Sequence, residues 1–62
     1  MYDYQISVAL NGQFMFRTEW DDDSIRVGSS AVALATSMPL ASVRIIRRDK
    51  LRTEVSAEEL LR

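Results

Sequence analysis

Apolar and polar positions alternate along two stretches near the N-terminus. Tyr4, Ile6 and Val8 alternate with Gln5, Ser7 and Ala9, and Phe14, Phe16, Thr18 and Trp20 alternate with Met15, Arg17 and Glu19. This period-two pattern marks strands with one apolar and one mixed face, and Asn11-Gly12 between them makes Tyr2 to Trp20 a β-hairpin. A two-residue Asn-Gly turn would set Leu10 opposite Gln13 and Ala9 opposite Phe14, joining the apolar face of one strand to the mixed face of the other. A three-residue loop of Leu10, Asn11 and Gly12, with Gly12 in the left-handed position of a bulged turn, instead pairs Val8 with Phe14 and Ile6 with Phe16. The pattern therefore predicts the bulged turn, and a Leu10–Gln13 pair would contradict it.

The period changes after Asp21, Asp22, Asp23 and Ser24. Ile25, Gly28, Val32 and Ala35 fall on one face at spacings of three and four, which predicts a helix capped by Asp23 or Ser24 and stopped by Pro39. Gly28 costs about 1 kcal/mol relative to Ala inside a helix, so a shorter helix capped by Ser29 or Ser30 is the alternative. No charged residue occurs from Val27 to Pro39. Either a second chain covers the outer side of this helix, or Ser29, Ser30, Thr36 and Ser37 face water.

The β-branched residues Val43, Ile45 and Ile46 mark a third strand from about Ser42 to Arg48. Leu51, Thr53 and Val55 alternate as a fourth strand would, although the turn at Asp49-Lys50 lacks Gly or Asn. Ser56-Ala57-Glu58-Glu59 is a capping box that opens a short terminal helix through Leu60 and Leu61. Hairpin, helix, strand, fourth strand and short helix together define a single small α+β domain over residues 1–62, with one helix packed on one face of an antiparallel sheet. A crossover helix returns strand three parallel to strand two, so strand three lies either beside strand two or antiparallel beside strand one. A β-grasp-like ββαββ arrangement, with strand four central and parallel to strand one, is the alternative.

Composition narrows the function classes. A chain of 62 residues buries only about 60% of its unfolded surface. With no Cys and no His, disulfides and most structural metal sites are excluded, leaving a partner chain or a homodimer as the remaining aid to stability. The hydrophobic fraction of 47% belongs to an ordered globule. The formal charge of −1 supplies no overall attraction to nucleic acid or to an anionic membrane. No apolar run reaches the roughly 20 residues of a transmembrane helix and MYDYQ has no signal-peptide character, so the expected location is cytoplasmic.

The missing His and Cys also remove the usual general bases, nucleophiles and transition-metal ligands. No catalytic residue, cofactor or metal site is expected in a chain too small to enclose a substrate cleft. Asp21-Asp22-Asp23 lacks the alternate spacing and the glycine of a calcium loop. It reads first as negative charge before a helix N-terminus and, together with Glu19, as an acidic patch for a basic partner.

The basic residues are more concentrated: Arg44, Arg47, Arg48, Lys50 and Arg52 place five of the eight within nine positions. On a regular strand Arg44 and Arg48 share the side of Ile46, opposite Val43 and Ile45, and join Arg17, Gln5 and Ser7 on the mixed face with Met15 as an apolar neighbour. Arg47 falls on the core side. Glu19, Asp49, Glu54 and Glu58 are the carboxylates that would neutralise this face, and Leu60 and Leu61 would cover it if the terminal helix folded over it. The expectation is a non-enzymatic protein-binding module, a small inhibitor or accessory subunit occupying a surface of a larger assembly, of the kind that phages and mobile elements encode. Its candidate partner-binding residues are Met15, Arg17, Arg44, Ile46, Arg48, Lys50 and Arg52. Nucleic-acid binding through the arginine-bearing sheet face, with Arg44, Arg47, Arg48, Lys50 and Arg52, is the alternative.

Overall fold

In the computed structural model, which describes residues 1–62, the hairpin consists of β1 (Asp3–Leu10) and β2 (Gln13–Arg17). Helix α1 (Ser24–Ser37), strands β3 (Ala41–Arg48) and β4 (Arg52–Val55) and helix α2 (Ala57–Leu61) follow. The four strands form one sheet of order β2-β1-β3-β4, antiparallel throughout. Strand β3 thus takes the position beside β1, and the β-grasp alternative is excluded. β1 is flanked on both sides by β2 and β3, and the short Asp49–Leu51 loop returns β4 directly along β3. The Asp49 N–H closes that loop by donating to the Leu51 carbonyl at 3.1 Å, without the Gly or Asn that tight turns favour.

The hairpin turn differs from the expected one. Leu10 pairs with Gln13 across a two-residue Asn11-Gly12 loop, and both loop residues have positive φ, 52° and 77°. That is the backbone an Asn-Gly turn between right-twisted strands requires. The parity conflict is resolved inside β2: Ala9 pairs with Phe14 and Val8 with Phe16, so Met15 is an extra residue that switches the strand from one face to the other. Phe16 consequently lies on the face of Val8, whereas Phe14 lies with Ala9 on the opposite one. A second irregularity follows. Counting on from Ser7–Arg17 would set Trp20 opposite Tyr4, but Asp21 occupies that position and exchanges backbone hydrogen bonds with Tyr4 at 2.8 Å.

The core lies between the sheet and α1. Tyr4, Ile6 and Val8 of β1, Ile45 of β3 and Val55 of β4 face Val27 and Ala31 of α1 and Leu60 of α2, and no polar side chain is buried among them. Helix α1 starts at its longer boundary, with the Asp23 side chain accepting from the Arg26 N–H. Its buried residues are Val27, Gly28 and Ala31, with Leu34 partly buried; of the expected face only Gly28 is buried, whereas Ile25, Val32 and Ala35 are exposed. The two sets are rotated about the helix, and packing against β1, β3 and α2 selects between them. Ser29, Ser30, Thr36 and Ser37 face solvent, with the Thr36 hydroxyl donating back to the Val32 carbonyl at 2.8 Å.

Gly28 is buried for a specific reason. A Cβ at that position would meet Leu61 Cδ2 at 3.0 Å and Leu60 Cβ at 3.3 Å, so its absence lets α2 approach α1. The capping box of Ser56 and Glu59 starts α2 as expected. Helix α2 therefore seats Leu60 in the core on the α1 side of the sheet, and the other face of the sheet carries no helix.

Candidate binding face

Strand pairing fixes what the helix-free face presents. Ser7 of β1 lies between Arg17 of β2 and Arg44 of β3, Gln5 pairs with Ile46, and Ile46 with Glu54 of β4. Asp3 pairs with Arg48, and Arg48 with Arg52. Arg17 and Arg44 are therefore two strand spacings apart, about 10 Å, and Arg44 and Arg48 are separated by about 13 Å along β3. Four guanidinium groups share this face with the carboxylates of Asp3 and Glu54.

Arg48 and Arg52 are like charges placed directly opposite each other, an arrangement that destabilises a sheet when nothing compensates it. Two groups compensate it here. The Asp3 carboxylate accepts from Arg48 Nη2 at 2.7 Å, and the Trp20 ring lies 4.0 Å from Arg48 Cζ and 5.6 Å from Arg52 Cζ. At the other end of the face Arg17 Cζ lies 4.9 Å from the Phe14 ring. A guanidinium held against an aromatic ring is fixed in orientation, while its in-plane N–H groups stay free to donate. Of the carboxylates expected to neutralise this face, Glu54 shares it without a direct ion pair, Glu58 pairs with Arg62, and Glu19 and Asp49 form no ion pair. Arg17, Arg44 and Arg52 are likewise without a carboxylate partner.

Small side chains shape the middle of the face. Ser7, Ala9, Gly12 and Ser42 floor a shallow depression of about 480 Å³ bordered by Phe14 and Arg44. Hydroxyl and guanidinium donors and apolar surface are thus available together, which suits recognition of oxyanions next to apolar groups.

The other candidate residues are placed differently. Met15 is not on this face: as the extra residue of β2 it lines an apolar notch with Leu10, Met38 and Leu40 on the α1 side. Arg47 lies on the core side and escapes at the strand end, its Cζ 4.5 Å from the Tyr2 ring. Lys50 is exposed in the β3–β4 loop. Of the acidic residues, Asp21 and Asp23 serve the start of α1. Asp21 Oδ1 accepts from the Asp23 N–H at 2.9 Å, and both carboxylates lie near the Arg26 guanidinium, at 3.6 and 3.3 Å. The Arg26 backbone N–H, followed by its side chain, holds the Asp23 carboxyl below its ordinary pKa. Glu19 and Asp22 are exposed and form no ion pair.

Phe14 and Trp20 were not legible as members of this face, because a residue-by-residue alternation assigns both to the core side; the two-residue turn sets Phe14 beside Ala9, and an extra residue after Arg17 displaces Trp20. No family model matches the chain, and no curated protein or solved structure is significantly similar to it.

Proposed function

We propose that the chain is a non-catalytic protein-binding module, an inhibitor or accessory subunit that docks its helix-free sheet face onto an acidic surface of a larger partner. The observation that carries this reading is the set of guanidinium groups left without carboxylates, Arg17, Arg44 and Arg52, on a face that also holds Trp20, Phe14 and Ile46. Arginine and aromatic residues supply most of the energetic anchors in protein interfaces, and rigid placement reduces the entropy lost on binding.

A protein partner is favoured over nucleic acid because Trp20 and Phe14 already carry guanidinium groups on their rings, whereas single-stranded nucleic acid needs open rings on which its bases stack. The partner is identified by affinity capture from a lysate of the organism that encodes the chain, comparing wild type with an Arg44→Glu, Arg52→Glu variant. A stoichiometric protein retained by the wild type and lost with the variant supports the reading. Retention of that protein by the variant overturns it, as does capture of nucleic acid with steeply salt-dependent affinity.

A further inference from the structure

The outer edge of β2 is an open sheet edge. Phe14, Met15 and Phe16 are 58%, 46% and 38% exposed, no element covers them, and Arg17 is the only charge in the strand. Natural edges are normally blunted by charged side chains, proline, a bulge or a covering segment, and β2 has only Arg17 and the bulge at Met15. The direction of hydrogen bonding alternates along β1: Tyr4 and Ile6 bond to the β2 side, through Asp21 and Thr18. Val8 and Leu10 share that direction, so Phe16 and Gln13 point inward, and the backbone N–H and C=O of Phe14 and Arg17 point to the free edge.

The bulge gives this edge a self-complementary register. In a regular strand, residues three apart lie on opposite faces, so an antiparallel pair matching one to the other about a two-fold axis would mix the two faces of the sheet. Met15 removes that obstacle. Phe14 and Arg17 share the helix-free face, while Met15 and Phe16 share the α1 face. A two-fold axis between Met15 and Phe16 sets Phe14 opposite Arg17 of a second copy and Arg17 opposite its Phe14, with the two Met15-Phe16 pairs meeting on the other face.

The geometry points to a second copy of this chain as the occupant of the edge, joined β2 to β2 into one continuous eight-stranded sheet. Each Phe14–Arg17 pair exchanges backbone hydrogen bonds and places a guanidinium beside a ring in trans. The interface is isologous, as a closed dimer requires. Taking about 200 Å² for a side chain of this size, the exposed parts of Phe14, Met15 and Phe16 come to roughly 300 Å² per copy, against roughly 800 Å² per partner in a standard interface. The dimer is accordingly weak and concentration-dependent.

Sedimentation equilibrium on the full chain between about 20 µM and about 1 mM tests this, with amide exchange measured at both ends of the range. The weight-average mass is expected to rise from that of the 7.1 kDa monomer towards twice that value. The Phe14 and Arg17 amides are expected to slow several-fold with concentration while the inward-facing Phe16 amide does not change. A Phe14→Lys, Met15→Lys variant, altered only at exposed positions, is expected to remain monomeric with an unchanged circular dichroism spectrum. A wild type that stays monomeric throughout overturns the proposal, as does a variant that associates like the wild type, or association that leaves Phe14 and Arg17 exchange unaltered.

Discussion

The helix-free face exists because α2 packs on α1, and that packing depends on Gly28. Replacing Gly28 by Ala brings two opposing effects: about 1 kcal/mol gained in helix propensity, and a Cβ placed 3.0 Å from Leu61 Cδ2 and 3.3 Å from Leu60 Cβ. Leu61 is exposed and can swing aside, but Leu60 Cβ moves only with its helix. A shift of a few tenths of an ångström suffices, so Gly28→Ala is expected to change stability by less than about 1 kcal/mol. Gly28→Leu leaves no such accommodation and displaces α2, taking Leu60, 8% exposed, out of the core. The loss is about 2–3 kcal/mol, the low end for a buried leucine because a short terminal helix relaxes easily. Leu60→Ala removes the same contacts, so the double variant should cost about as much as either single one. Urea unfolding followed by fluorescence of Trp20, the only tryptophan, measures all three. Fully additive losses, or a neutral Gly28→Leu, would refute the placement of α2.

Two further outcomes follow from the same contacts. Trp20→Ala removes the ring shared by Arg48 and Arg52 and should destabilise the fold by about 1–2 kcal/mol, with a smaller loss at high salt because the uncovered repulsion is screened. Circular dichroism melts at low and high salt test this, and a salt-independent loss would contradict it. The Asp23 pKa is lowered in the folded chain, so its contribution is present above the unfolded value and is lost as pH falls below about 4 through the folded one. Asp23→Asn retains a capping side chain but not the titration, so helicity below pH 4 should fall less steeply in the variant. Identical acid limbs would exclude Asp23 as the cause.

Much of the fold was readable because it depends on local signals. The Asp23 cap, Pro39 and the Ser56–Glu59 box each specify a backbone event within a few residues, and all three occur in the structure; Asn11-Gly12 marks the hairpin correctly but closes it as a two-residue turn rather than the expected three-residue loop. The alternation of Arg44, Ile46 and Arg48 with Val43, Ile45 and Arg47 likewise survives, because β3 is a regular central strand. The β2 edge was misread. An extra residue at Met15 reconciles the favoured Asn-Gly turn with the placement of Phe16 on the α1 face beside Val8, and this compromise has no local signature. It carries Phe14 to the arginine face and Met15 away from it. The helix face was misassigned for a related reason: α1 has small or apolar residues almost all round, so its period alone leaves the rotation open until the sheet and α2 select Val27, Ala31 and Leu34.

Binding through the helix-free face is the proposal from which the other functional expectations follow. Amide hydrogen exchange of the chain, free and saturated with the captured partner, tests it most directly. Slowed exchange is expected along β1 and β3 at Gln5, Ser7, Arg44 and Ile46, together with partner-dependent quenching or shift of Trp20 fluorescence. Slowing confined to the uncharged outer side of α1, at Ser29, Val32, Ala33 and Thr36, with β1 and β3 unchanged, would contradict it.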